Sequence, residues 1–213
     1  MGYKMPERLP FLEDALQGLA FWVGYRRSYF RDYPLAEAAL IAETCNLIQS
    51  KITDAQVLRP EVLYRRLADT SMKDELRDLW RADLAILDAA YPNPYQDNVW
   101  DAVHFIFEVK RGSSPKAEID QDLRRLFHFK EVCRSGARAF LIVVSEAKLP
   151  KRFVDPKKGK SKLHGHPIPG TTGVYHVRRT VKAASSFDRK ETANFACICE
   201  VFSQPPKKVL PEV

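Results

Sequence analysis

Two stretches, Arg81-Ala82-Asp83-Leu84-Ala85-Ile86-Leu87-Asp88 and His104-Phe105-Ile106-Phe107-Glu108-Val109-Lys110-Arg111, decide how this chain folds. Each is an apolar run of strand length, and the second carries ionisable side chains where a buried strand has no need of them. Side chains alternate faces along a strand, so Phe105, Phe107 and Val109 point one way and Ile106, Glu108 and Lys110 the other. Glu108 and Lys110 then stand roughly 6–7 Å apart on one face. With Asp83 on the preceding strand, they form a candidate site for a hard cation beside a charge-handling lysine.

Outward from this pair, the pattern alternates. Residues 11–33 read as an aromatic helix carrying Phe11, Phe21, Trp22, Tyr25, Tyr29, Phe30 and Tyr33, a surface suited to helix packing or a subunit contact. Pro34 opens a second helix from Leu35 to about Ile52, with Leu40, Thr44, Leu47 and Ile48 at spacings of three and four and with Glu37 and Glu43 close to that stripe. Pro60 is read as opening a short helix, Glu61 to Leu67, and Lys73 to Leu79 as another. The Tyr91-Pro92-Asn93-Pro94 segment ends regular structure between the two strands. Lys116 to about Arg134 is amphipathic through Ile119, Leu123, Leu126, Phe127 and Val132, and Gly136 closes it. Arg138–Ser145 is continuous apolar sequence of buried-strand type. Gly173–Ala183 and Ala193–Phe202 are further strands, the second apolar enough to be central. This order predicts an α/β layer fold with a mixed sheet. The domain reading is an N-terminal aromatic helical element at 1–34, one main domain at 35–204 and a tail at 205–213.

Composition narrows the classes. At 213 residues, 45% hydrophobic and 29% charged, the chain suits one globular domain with a substantial core. No apolar run approaches the roughly 20 residues that span a bilayer, and the N-terminus lacks a signal-peptide pattern. A cytoplasmic location without membrane association is expected. Cys45, Cys133, Cys197 and Cys199 show no disulfide framework and no zinc-knuckle spacing, so reduced, mostly buried thiols are expected. Net charge is +7, and it is concentrated between residues 148 and 162. Lys148, Lys151, Arg152, Lys157, Lys158, Lys160 and Lys162 face one acid there, Asp155. Such a segment favours contact with a polyanion such as nucleic acid. His164 and His166 lack further ligands for zinc. Asp88, Arg111, Arg124 and Arg125 read as a strand end and solvent-facing cations, with substrate contact as the alternative; Arg111 is carried with the nucleic-acid-binding set.

Magnesium takes oxygen ligands and keeps several waters, so two carboxylates and a substrate phosphate suffice to hold it. Asp83 and Glu108 can supply the carboxylates. Lys110 can orient a water or offset charge building on phosphorus. A half-buried Glu108–Lys110 ion pair without chemistry is the structural alternative.

Taken with the helix at 35–52, the helix after Glu108-Val109-Lys110 and the strand at 138–145, this arrangement resembles the PD-(D/E)xK nuclease superfamily over residues 35 to 145. The resemblance implies a restriction-endonuclease-like three-layer core, a central mixed β-sheet flanked by helices. It places the metal-binding roles on Asp83 and Glu108, with the Val109 carbonyl as an additional ligand, and the family lysine on Lys110. It also implies an acid on the first helix, for which Glu37 and Glu43 compete with Glu37 ahead. A polar residue on the second helix is implied too, where Gln121 leads, Asp122 follows and Asp120 is adjacent. The family proline before the first acid is Ala82 here.

The function implied is a Mg2+-dependent endonuclease, with Mn2+ able to substitute, hydrolysing phosphodiester bonds of DNA, expected to be double-stranded. The setting would be restriction, anti-phage defence or a mobile element, with a homodimer or a partner protein of a defence system as possible assemblies. The alternative is a catalytically inactive nuclease-fold adaptor that binds nucleic acid within a larger complex; an RNA-cleaving enzyme is the third reading.

Overall fold

The computed structural model describes residues 7–30, 33, 35–69, 79–91, 93, 99–133, 136–162, 164–183 and 193–204. The helix expected at Lys73–Leu79, the breaks at Pro34, Pro92 and Pro94, and the tail at 205–213 lie largely or wholly outside them.

Among the described residues, a seven-stranded sheet runs in the order β1-β2-β3-β4-β7-β6-β5. Its strands are β1 (Gln56–Leu63), β2 (Arg81–Asp88), β3 (Val103–Arg111), β4 (Arg138–Ser145), β5 (His166–Pro167), β6 (Val174–Ala183) and β7 (Asn194–Phe202). The helices are α1 (Pro10–Tyr29), α2 (Glu37–Gln49), α3 (Tyr64–Leu67) and α4 (Lys116–Val132). β3 and β4 are parallel, and the other neighbouring strands are antiparallel. A parallel neighbour needs a crossover connection, and α4 supplies it. β7 sits between β4 and β6, the interior place its apolar sequence predicts.

The helices pack in two layers. Leu16, Leu19 and Val23 of α1 and Leu40 and Ile48 of α2 cover Ile86, Phe107, Val109 and Ile142 on one face. Leu123, Leu126 and Phe127 of α4 cover Ile106, Leu141, Val143, Cys197 and Cys199 on the other. The alternation read along β3 is therefore the observed one, and the sequence helix, three strands, helix, strand is the core order that the resemblance implied. The aromatic helix divides by exposure. Phe11 and Trp22 pack against the core, whereas Phe21, Tyr25, Tyr29, Phe30 and Tyr33 are 53–70% exposed.

One element departs from expectation. Pro60 does not open a helix; it lies inside β1, paired with Leu84, and only Tyr64–Leu67 is helical. Proline is tolerated there because β1 is an edge strand with one partner, β2. Glu61, next to it, takes φ +55° opposite Asp83. At the end of the sheet where β7 finishes, the buried Glu200 carboxylate receives Arg138 at 2.7 and 2.9 Å and stands 3.3 Å from Arg178.

Gly173, just before β6, meets the Phe127 ring so closely that a Cβ would overlap it and approach the Phe202 carbonyl at 3.0 Å. Gly173→Ala is expected to lower unfolding free energy by about 1–3 kcal/mol through overpacking. Urea denaturation checks this, and an unchanged midpoint would contradict the packing described.

Candidate active site

The sheet forks where the candidate acids stand. β2 and β3 pair from Leu84↔Phe107 to Leu87↔Val103. Past that point β2 stays with β1 as far as Arg81, and β3 stays with β4 as far as Arg111. Asp83 and Glu108 are the next cross-strand positions, just inside the opening. The Val109 N–H, no longer bonded across the ladder, donates to Asp83 Oδ2 at 2.6 Å. The fork is thus closed at its root by a side chain in place of a backbone carbonyl.

Glu108 is 2% exposed, and its Oε1 accepts the Tyr64 hydroxyl at 2.7 Å. Tyr64 is itself fully buried as the first residue of α3. Lys110 Nζ donates to Glu37 Oε1 at 2.6 Å and lies 3.5 Å from Asp122 Oδ2. Glu37 begins α2 on one side of the sheet, and Asp122 belongs to α4 on the other, so the ammonium bridges the two layers at the fork. Arg125 Nη1 donates to Asp122 Oδ1 at 3.1 Å, and its guanidinium covers the Trp80 ring at 5.3 Å.

The carboxylates of Asp83, Glu108, Asp122 and Glu37 outnumber the cations of Lys110 and Arg125 in this constellation. Burial pushes the Asp83 carboxyl up to about 6, although the Val109 N–H and Lys110 pull it down. Burial, then the charges of Asp83 and Asp122, raise Glu108 well above the usual carboxylate range. Asp122 is raised by burial against the pull of Lys110 and Arg125. For Lys110, burial works against the ammonium, but Glu37 and Asp122 outweigh it and its pKa stands above the ordinary value. The Lys110 ammonium therefore keeps its charge near neutral pH.

Among the described residues no group of three His, Cys, Asp or Glu side chains is placed to hold a metal together. Magnesium asks for less, one or two carboxylates with waters and a phosphate oxygen. Asp83 and Glu108 meet that requirement chemically, and the site is short of positive charge. The donor set fits a hard dication.

The structure brings Asp83, Glu108, Lys110 and Glu37 together, and the α2 acid bonded to Lys110 is Glu37, not the half-buried Glu43. Asp122, ranked behind Gln121, is the α4 residue that reaches Lys110. Gln121 is half-buried beside it. The signal was present, since Asp122 falls on the helical stripe of Ile119, Leu123 and Leu126, whereas Gln121 is turned off it. Val109 contributes its N–H to the fork. Arg111 and Arg125 are half-buried and partnered: Arg111 Nη1 donates to the Leu35 carbonyl at 3.1 Å, which braces the chain just ahead of Glu37. Tyr64 had no sequence signal, because its contact lies 44 residues away.

In the basic segment Lys148, Lys151, Lys157, Lys158 and Lys160 are exposed and Lys162 is half-buried. Arg152 is held instead, 2.6 Å from Asp120 Oδ1 and donating from Nε to the Tyr175 hydroxyl at 3.2 Å. Buried Phe153 and Val154 anchor the segment, and Asp155 Oδ1 accepts the N–H groups of Lys157 and Lys158.

No family model matches this chain, and no curated protein matches it. Among solved structures it is similar to NucC of P. aeruginosa ATCC27853 in its cAAA-bound form, at 9% identity and a TM-score of 0.36, over 60% of this chain and 52% of that one. It is similar also to cAAA-bound NucC of E. coli MS115-1, at 10% identity and 0.36, over 61% and 53%. The chain spans about half the length of each. No helix among the described residues is long and apolar enough to cross a membrane.

The fold holds the Asp83 carboxyl at about 6 against 3.8 for the free group, so the folded state binds more protons across that interval. Stability therefore falls as pH rises from about 4 to about 6. Asp83→Asn should remove the Asp83 share of this dependence, leaving that of Glu108 and Asp122, and be more stable than the parent at pH 7.5 by about 1–3 kcal/mol, with no advantage at pH 3.5. Denaturant titrations at the two pH values check it. Tyr64→Phe leaves Glu108 without its donor and should cost about 1–3 kcal/mol in the same assay.

Proposed function

We propose that this protein is a Mg2+-dependent endonuclease that hydrolyses phosphodiester bonds of DNA, with Mn2+ able to replace Mg2+. The observation that carries the reading is the forked sheet edge, where buried acids exceed cations and Lys110 is held between Glu37 and Asp122.

Asp83 and Glu108 would hold the metal ion, with the Val109 carbonyl as a further candidate ligand. When bound, the ion supplies charge neutralisation at the phosphate and a lowered pKa for a coordinated water. The chain's own groups do the rest. The Val109 N–H fixes Asp83, and the Tyr64 hydroxyl fixes Glu108. Lys110 sets its ammonium against the negative charge that grows on the phosphorane oxygens, and Glu37 and Asp122 keep it protonated and aimed. Water adds to phosphorus, the bond from phosphorus to the 3′-oxygen breaks, and the products carry a 5′-phosphate and a 3′-hydroxyl. One such site cuts one strand. Two copies meeting through the exposed aromatic face of α1 would supply the second cut. The setting we propose is restriction, anti-phage defence or a mobile element.

Supercoiled plasmid tests the reading. Wild type with magnesium should nick or linearise it, and EDTA should stop the reaction. Lys110→Ala should lower the rate at least 100-fold while DNA affinity changes less than threefold. Intact plasmid with either metal would remove the enzyme reading in favour of the adaptor.

A further inference from the structure

A groove of about 1020 Å3 begins at Gly112, two residues past Lys110, and runs between the first turn of α4 and the 148–162 segment. Five cations stand along it, Lys116, Lys148, Lys151, Arg152 and Lys162, and among the described residues no carboxylate side chain lines it. Between the cations its walls are apolar, with Pro150, Pro167 and Tyr175 prominent.

Arg152 is built into this groove. Asp120 and Tyr175 hold its guanidinium, which also lies 5.5 Å over the Tyr175 ring. His166 stacks on Tyr175 with ring centroids 5.2 Å apart. Two buried nitrogens of this cluster, Arg152 Nη1 and His166 Nε2, have no hydrogen-bond partner. A buried polar atom left without a partner costs free energy, and a phosphate oxygen is the kind of acceptor either nitrogen lacks.

The lining also distinguishes between forms of DNA. A duplex turns its phosphates outward and keeps its base faces stacked, so proline and aromatic walls between lysines gain nothing from it. An unpaired strand offers phosphates to the cations and base faces to the apolar walls together. We infer that this groove receives an unpaired DNA strand beside the cleavage site, with one backbone phosphate seated at Arg152 and His166. The inference rests on the nuclease reading of the neighbouring site for its substrate, whereas the binding needs no cleavage.

Fluorescence anisotropy in EDTA tests it with a labelled 12-nucleotide single strand and the duplex of the same sequence. The single strand should bind at least tenfold tighter. Lys148→Ala/Lys151→Ala, exposed and remote from the core, should weaken single-strand binding about tenfold and reduce the slope of log K against log salt by about 1.4, or about 0.7 per lost contact. His166→Phe, which keeps the stack on Tyr175 and removes the nitrogen, should weaken it several-fold. Equal or tighter duplex binding overturns the inference, as does a double variant that binds like wild type. An unchanged His166→Phe overturns the phosphate seat. Strand preference without cleavage in magnesium would remove the nuclease reading and leave the groove; cleavage with no strand preference would do the reverse.

Discussion

The Lys110 ammonium is gripped from both sides of the sheet, by Glu37 of α2 at 2.6 Å and by Asp122 of α4 at 3.5 Å. That grip is possible only because β2 leaves β3 at Asp83, opening a gap through which one side chain can meet both helical layers. The candidate catalytic groups collect at this opening. A closed ladder would have spent the Val109 N–H on β2 and buried Glu108 among apolar residues with no outlet. The fork instead gathers more carboxylate than cation in a half-dry place. That is unfavourable for the fold alone and favourable for binding a dication.

Most of this was legible. Strands β2, β3 and β4 and helix α4 announced themselves by apolar periods of two and of three to four, and Asp83, Glu108 and Lys110 by being charged where those periods call for apolar residues. Glu37 came from the resemblance, which implies an acid near the start of that helix. What stayed hidden depended on contacts far apart in sequence. β1 was obscured by Pro60, since the rule that proline breaks a strand lapses at a sheet edge. Tyr64 is silent in sequence because a buried tyrosine is ordinary until a carboxylate from β3 is seen against its hydroxyl. Asp122 was readable from the α4 stripe, but the resemblance drew attention to Gln121 instead.

The basic segment teaches the difference between charge and placement. Counting residues made it a run of cations suited to a polyanion. Phe153 and Val154 pin it to the core, the Ser145 hydroxyl donates to the Lys148 carbonyl at 2.6 Å, and Asp155 organises its tip. Arg152, counted as one cation among seven, is a fixed member of a cluster with Asp120 and Tyr175. The charge is therefore presented in a set direction, along the end of β3.

The two thiols of β7 carry a consequence of their own. Cys197 and Cys199 lie side by side under α4, and burial pushes Cys197 up to about 12 and Cys199 well above its usual range. Both are fully buried, so oxidants and alkylating reagents reach the half-buried Cys45 and Cys133 first. Because both sulfurs lie on the sheet face that α4 covers, their modification has to wait until that layer opens. The strand thus contains an internal clock for opening of the core beneath α4, readable by counting modified thiols over time without any added label.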